Sequence, residues 1–306
     1  MRLNNVKCYS YTIQRIDILL LIRIIRCCRE QAMSSNTLIV STGSGSPENA
    51  ANGALNHSKL LLEAVTADKD NLFSVIQTEQ EELLLAALRN PNLDHQHLKM
   101  LLKRRGLGSV ITAIFANKRL VESNSVKLDL VAHPDTPSHI AQTLLPLLYV
   151  FDLLKLCYIP GVSADIYLAA ERKIVQQLPT QPLGNKLTLA RRGTAAIVEA
   201  LLREGVHSIV EICLENPHLK EGSLHQFLAS SQANAENISI VARSNRWKSR
   251  PNIRLAILKN PRTPLIWFTT FLPGLPAATV KDLLASPRLT FAQKELVRKS
   301  GSHFRL

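Results

Sequence analysis

The chain has 306 residues, of which 46% are hydrophobic and only 5% aromatic, and it contains 12 glycines. This supply of aliphatic residues is enough for a large core and favours packing of helix on helix, and the scarcity of glycine argues against a strand-rich fold. The formal net charge of +13 permits binding to a polyanion without requiring it.

Residues 1–32 contain a hydrophobic stretch, Ile16 to Ile25, that looks like a targeting segment. Two charged residues interrupt it, it falls short of the ~20 apolar residues of a membrane span, and no small-x-small cleavage site follows it. Two interpretations stay open: a basic helix that lies on a membrane surface, or translated upstream sequence before a true start at Met33. We favour the second, because residues 33–57 have the Ser, Gly and Asn content of a disordered polar tail. A membrane surface is a partner only if residues 1–32 are made.

One pattern then occurs four times: an apolar helical segment that ends in Asn-Pro or His-Pro. The residue before a proline is held out of the helical region and proline has no N–H, so each pair is predicted to stop its helix. The residues eight, four and three before each proline are apolar, a spacing that lies along one side of a helix. These stripe residues are Leu83, Ala87 and Leu88; Val126, Leu130 and Val131; Ile209, Cys213 and Leu214; and Ile253, Ile257 and Leu258.

The residues after each stop predict how the next helix begins. Asp94 lies between Leu93 and Leu98, the arrangement of an N-cap with a hydrophobic staple. Two threonines that precede a proline are predicted to cap a helix with that proline in its first position. The predicted N-caps are Asp94, Thr136, Ser163, Thr263 and Thr290. Lys220 stands where Asp94 would recur as a cap, so that helix start is expected to be looser.

The prolines also recur at matching intervals. Pro91, Pro134 and Pro160 are separated by 43 and 26 residues, and Pro217, Pro261 and Pro287 by 44 and 26. This agreement predicts an internal duplication with an offset of 126–127 residues. We therefore expect a first helical-repeat block at 58–182 and a second, continuous with it, at 183–306.

A unit of about 43 residues built from two or three helices lies in the range of HEAT and armadillo repeats. The chain resembles HEAT-like repeats over about Leu83 to Lys299, and its Leu-x-Asn-Pro-x-Leu punctuation is similar to the leucine-rich-repeat-variant group of bacterial helical repeats. We predict an all-α fold, a right-handed α-solenoid of stacked helix pairs or triplets. The resemblance implies a scaffold that binds a protein, a peptide or nucleic acid along its surface and has no chemistry of its own. A protein or peptide partner on the concave face is our first hypothesis.

No catalytic pattern of nucleophile, metal or phosphate loop is recognisable, so we predict a protein that is not an enzyme and uses no cofactor. His95 and His97 point away from each other on a helix and cannot easily share a metal ion. Cys213 occupies a stripe position and is predicted to be a small core residue. The five cysteines include no Cys-x-x-Cys pair, which favours a reduced, cytoplasmic protein.

The basic segment, Arg243 to Arg254, contains five cations, one Trp and no acid. This mixture suits phosphate contacts and base stacking, and it supports an alternative function as a nucleic-acid-binding HEAT-like protein related to DNA glycosylases. The candidate contacts are Arg243, Arg246, Lys248, Arg250 and Arg254, with Lys186, Arg191 and Arg192 as a second group. Against this hypothesis, Trp247 takes the place of Leu120 in the duplication and is expected to pack between helices. A double change of Arg246 and Lys248 to Glu is expected to leave the fold intact.

Overall fold

The computed structural model describes residues 47–301. The predicted extension at 1–32 and the first part of the predicted tail at 33–57 lie outside the described residues. Contacts divide the chain into two units, Met1–His57 and Ser58–Leu306. Residues 47–57, which the sequence assigned to a disordered tail, are helical. No helix within residues 47–301 combines the length and hydrophobicity needed to traverse a bilayer.

All regular secondary structure in residues 47–301 is helical, which confirms the all-α prediction. The helices are α1 (Pro47–Thr66), α2 (Lys69–Ile76), α3 (Glu81–Ala87), α4 (His95–Leu101), α5 (Gly108–Ala116), α6 (Asn124–Ala132), α7 (Ser138–Leu144), α8 (Val150–Leu156), α9 (Ala164–Gln177), α10 (Leu183–Arg192), α11 (Ala195–Glu204), α12 (His207–Glu215), α13 (Glu221–Ala229), α14 (Ala235–Arg243), α15 (Pro251–Lys259), α16 (Leu265–Phe271), α17 (Ala277–Ala285) and α18 (Phe291–Gly301). Three short 3₁₀ turns lie at Leu145–Leu147, Leu178–Thr180 and Leu272–Gly274.

In the second unit, most helices pack on the next helix but one. In the first half of the chain α2 contacts α4, α4 contacts α6, and α6 contacts α8. Further along, α9, α11, α13 and α15 form one such series, and α10, α12 and α14 form another beside it. Each helix is therefore covered by elements close to it in sequence, which is the way helical-repeat proteins bury their cores.

The twelve stripe residues of the repeated pattern are all buried and belong to one continuous hydrophobic core. Cys213 is fully buried among them, so its predicted role as a small core residue is confirmed. The repeated segments form α3, α6, α12 and α15. The last three end at the residue before the Asn or His that precedes the proline, whereas α3 ends three residues before Asn90.

Three of the predicted N-caps are confirmed. The Asp94 carboxylate accepts hydrogen bonds from the backbone N–H groups of Gln96 and His97, at 3.0 and 3.3 Å. Ser163 Oγ accepts from the N–H of Ile166 at 3.4 Å. The Thr290 hydroxyl accepts a hydrogen bond from the backbone N–H of Gln293. The side-chain oxygen of Gln293 in turn accepts from the backbone N–H of Thr290, so the two residues form a capping box. Lys220 is the N-cap residue of α13 and provides no side-chain cap.

The N-cap predictions for Thr136 and Thr263 are wrong. Each hydroxyl donates backward, to the carbonyl of Leu130 at 2.6 Å and of Ile257 at 2.5 Å. These carbonyls lie in the last turns of α6 and α15, where the residue four positions later is a proline without an N–H. Each carbonyl accepts instead the N–H three residues later, of His133 at 3.3 Å and of Asn260 at 3.1 Å, together with the threonine hydroxyl. Both threonines are buried, so their hydroxyls need a protein partner, and the preceding helix end supplies one.

Candidate functional site

The residue before each repeated proline is a buried polar side chain that joins two layers of helices. Asn216 follows α12, and its Nδ2 donates to the carbonyls of Ala190 and Gly193, at the end of α10, over 2.8 and 3.2 Å. Its Oδ1 accepts from the His218 N–H at 2.7 Å. The amide therefore fixes the turn that follows it and holds that turn to the helix two positions earlier.

The other three residues of this kind make the corresponding contacts, and we call the four, Asn90, His133, Asn216 and Asn260, the corner residues. Asn90 donates to the carbonyls of Ala64 and Ala67, and Asn260 to that of Leu228 at 2.7 Å. Each Oδ1 accepts from the N–H two residues later. His133 replaces the amide with its ring: Nε2 lies 2.6 Å from the Arg104 carbonyl and Nδ1 lies 3.1 Å from the Asp135 nitrogen. These partners assign the neutral tautomer with its proton on Nε2.

Arginines complete two of these corners. Arg246 donates from Nη1 to the Asn216 carbonyl at 2.6 Å, and from Nη2 to the carbonyls of Pro217 and Leu219 at 3.3 and 3.4 Å. Arg119 contacts the carbonyls of Asn90 and Leu93 in the same way. Arg246 is therefore part of the fold, and changing it to Glu would disturb a corner rather than leave the fold intact.

Trp247 packs between helices in the position that Leu120 takes in the other half of the chain, as predicted. Its side chain is 3% exposed and its Nε1–H donates to the Leu214 carbonyl at 3.0 Å. The Arg246 guanidinium lies over the ring, 4.6 Å from its centroid. A buried and covered ring cannot stack on a nucleic-acid base, so this part of the nucleic-acid hypothesis is wrong.

The other cations of the basic segment differ in how much of their charge is available. Arg250 lies 3.6 Å from a carboxylate oxygen of Glu221, and Arg254 donates from Nε to the Lys248 carbonyl at 2.5 Å. The side chains of Arg243 and Lys248 are exposed and form no ion pair or hydrogen bond within residues 47–301. Arg243 and Lys248 are therefore the two cations of the five whose charged groups could contact a phosphate without breaking an existing contact within residues 47–301.

The second predicted group lies on α10. Lys186 forms an ion pair with Glu204, with 2.8 Å between Nζ and Oε2, and both side chains are largely buried. Arg191 and Arg192 are exposed in the last turn, where positive charge stabilises the helix through its dipole. Within residues 47–301 no contact joins Lys186, Arg191 or Arg192 to Arg243 or Lys248 of the basic segment.

The described cysteines have the properties of core thiols. Burial raises the pKa of Cys213 to about 12 and that of Cys157 to about 11, the latter with help from the nearby Glu171 carboxylate. Because the thiolate is the reactive form, neither is suited to nucleophilic catalysis near neutral pH. Within residues 47–301 no group of three or more His, Cys, Asp or Glu is placed to hold a metal ion.

Two cavities lie beside corner residues and correspond to each other along the chain. Cavity A, of about 420 Å³, is bordered by Leu228, Lys259, Asn260, Pro261, Arg262 and Arg288. Cavity B, of about 280 Å³, is bordered by Leu102, Lys103, Arg104, His133, Pro134 and Gly161. Leu228, Asn260, Pro261 and Arg288 stand 126–127 residues after Leu102, His133, Pro134 and Gly161.

Sequence reasoning missed both the corner residues and the cavities. It assigned Asn90, Asn216 and Asn260 only to helix termination, although three amides at one position of a repeat are a signal for a repeated buried hydrogen bond. Lys259, Arg262 and Arg288 lie outside the basic segment and come from three separate stretches of sequence.

Comparison with protein-family models, with curated proteins and with solved structures finds no match for this chain.

Proposed function

We propose that the protein is a non-catalytic scaffold, a right-handed α-solenoid with an internal duplication, that binds a protein or peptide partner on its concave face in the cytoplasm. One observation carries this proposal: the helices of the second unit pack mainly on near neighbours in sequence, layer on layer. Such stacking leaves long lateral surfaces free for a partner. The resemblance to HEAT-like and leucine-rich-repeat-variant proteins points the same way.

The use of the polar groups supports a scaffold more than an enzyme. The buried amides of Asn90, Asn216 and Asn260 are hydrogen-bonded to helix ends, and Arg119 and Arg246 are hydrogen-bonded to corner carbonyls. These contacts fix the angles between layers. A catalytic site would instead gather such groups around a space for substrate.

The internal duplication is supported by contacts that recur 126–127 residues apart. The hydroxyls of Thr136 and Thr263 donate to equivalent carbonyls of the preceding helix. Asn90 and Asn216 each reach two carbonyls of an earlier helix end. Cavities A and B occupy the same place beside their corners. Two copies of one ancestral block explain all of these pairs together.

Binding of nucleic acid along the basic segment is the second candidate. The exposed side chains of Arg243 and Lys248, which have no ion-pair or hydrogen-bond partner within residues 47–301, favour it. Two free cations supply only a weak electrostatic contribution, and it would be screened strongly by salt. No accessible aromatic ring of the segment accompanies them, because Trp247 is buried. We therefore rank this function below peptide binding.

Selection of random peptides against the immobilised full chain tests the proposal. Selected peptides, made with a fluorescent label, should bind in solution with micromolar or tighter affinity. Hydrogen exchange of the complex should then show protection along consecutive repeats on one side. Failure to select any peptide, together with binding of labelled DNA or RNA that survives about 150 mM salt, would favour the second candidate.

A further inference from the structure

We propose that cavity A is an anion-binding site that receives the carboxylates of an acidic peptide segment. This inference rests on the proposed function, because it names the chemistry of the partner. It concerns Lys259, Arg262 and Arg288, none of which belongs to the basic segment.

The charge in cavity A has one sign. Three cationic side chains line it, and the described residues around it include no Asp or Glu. Lys259 and Arg288 are exposed, and neither side chain forms an ion pair or hydrogen bond within residues 47–301. Cations gathered in a concave place repel one another, and an incoming anion relieves that repulsion.

Arg262 is already positioned for such an anion. Its Nη1 donates to the Ser231 carbonyl, and its backbone N–H donates to Asn260 Oδ1 at 2.8 Å. The first contact anchors one edge of the guanidinium and leaves its other N–H groups without a partner within residues 47–301. A fixed guanidinium loses little entropy when it binds a planar carboxylate.

The remaining lining favours a peptide over nucleic acid. Leu228, Ala256 and Pro261 give the cavity apolar walls, which suit the aliphatic side chains that flank acidic residues in a peptide. Among the described residues no Trp, Tyr or Phe lines the cavity, and the small imidazole of His225 is the one ring there on which a base could stack.

Cavity B is a natural comparison, because it has the same position in its repeat and a different charge pattern. Asp129 lines it, together with four cations from the last turn of α4 and the turn after it: Lys99, Lys103, Arg104 and Arg105. Arg104 is occupied, since Nη1 donates to the carbonyls of Ile76 and Thr78. Cavity B therefore differs from cavity A in containing an acid, which lies near Lys99, and we expect weaker anion binding there.

Fluorescence anisotropy with the full chain tests the proposal. The probe is a labelled (Glu-Ala)₅ peptide at about 150 mM salt, with (Lys-Ala)₅ and a ten-nucleotide single-stranded DNA as comparison ligands. The double variant Lys259→Glu/Arg288→Glu should weaken binding of (Glu-Ala)₅ by about tenfold or more. Lys118→Glu/Arg172→Glu, which changes net charge equally at exposed residues that line neither cavity, should leave it within about twofold.

A milder variant, Lys259→Gln/Arg288→Gln, removes the charges without adding acids and guards against loss of folding, which circular dichroism reports. Equal weakening in the cavity and control variants would overturn the inference, because general charge would then explain binding. Displacement of (Glu-Ala)₅ by the DNA at lower concentration would overturn it in favour of nucleic acid. Failure of (Glu-Ala)₅ to bind, while peptides without acidic residues are selected, would overturn it and leave the proposed function standing. Failure of every peptide to bind would overturn both this inference and the proposed function.

Discussion

Replacing Asn216 by alanine should reveal how much one corner residue contributes to the stability of the whole stack. The side chain is 1% exposed and makes three hydrogen bonds, two to carbonyls of α10 and its end and one from the His218 N–H. The truncation takes a hydrogen bond from each of its three partners, and each buried polar group left without a partner costs about 1–3 kcal/mol. The truncation also removes the need to bury the amide, which offsets part of this. We expect a loss of about 2–4 kcal/mol in the free energy of unfolding.

Asn216→Asp separates the donor from the volume of the side chain. The carboxylate would direct an oxygen at the carbonyls of Ala190 and Gly193, where Nδ2 now donates. Burial and these carbonyls would raise the pKa of the introduced carboxyl above its unfolded value. The destabilisation should therefore be largest at neutral pH and become smaller as the pH falls and the carboxyl gains a proton.

Urea unfolding followed by circular dichroism measures both effects in the full chain. Asn245→Ala is the matched control, because Asn245 is exposed and its side chain forms no hydrogen bond within residues 47–301. Hydrogen exchange should place the new opening at α10 and α12, since repeat proteins can lose one interface before the rest. A loss from Asn216→Ala no larger than that from Asn245→Ala would refute the role of the corner amide.

Three further changes probe other parts of the account. Arg246→Ala should cost about 1–3 kcal/mol of unfolding free energy, because three carbonyls at the corner each lose a donor. Arg243→Ala should change the free energy of unfolding by less than about 0.5 kcal/mol. Urea unfolding compares the two variants, and equal effects would contradict the role of Arg246. Burial tends to raise the pKa of Asp94, but hydrogen bonds from the backbone of His97 and Gln96 outweigh it and lower the pKa. The Asp94 cap therefore stabilises the fold at pH values above the pKa of this carboxyl in the unfolded chain, and the stabilisation is lost as the pH falls through its lower folded pKa. Unfolding free energies measured over a pH series should show this loss in the wild type and a flatter dependence in Asp94→Asn. A variant with serines in place of the three N-terminal cysteines tests the burial of Cys213. Its thiol should react with a disulfide reagent only as fast as the protein unfolds, because it is buried and has a pKa of about 12. Rapid labelling of Cys213, located by mass spectrometry, would disprove this.

The sequence predicted the helices and the buried stripes well because both depend on local patterns. Apolar residues at a helical spacing identified the cores of α3, α6, α12 and α15, and the prolines marked where these helices end. Trp247 was assigned correctly by comparing the two halves of the chain. Thr136 was assigned wrongly, because a Thr-Pro pair suits an N-cap locally while its hydroxyl in fact bonds the preceding helix.

The cavities could not be predicted because they depend on contacts between layers. Arg262 and Arg288 are 26 residues apart in the sequence, and the fold places both beside His225 of α13. The use of Arg246 could not be foreseen for the same reason, since its carbonyl partners lie 27–30 residues earlier. Counting charged residues along the sequence therefore overestimated the number of available cations in the basic segment and did not identify those of cavity A.

The central claim is that this chain is a peptide-binding scaffold rather than a nucleic-acid-binding protein, and a measurement of nucleic-acid binding separates these two functions most directly. Fluorescence anisotropy of labelled DNA and RNA with the full chain, at low and at about 150 mM salt, would be compared with the variant Arg243→Glu/Lys248→Glu, which leaves the Arg246 corner in place. We predict that any binding seen at low salt is abolished at the higher salt, whatever the nucleic-acid sequence. Binding that persists at about 150 mM salt and is lost in the double variant would contradict it.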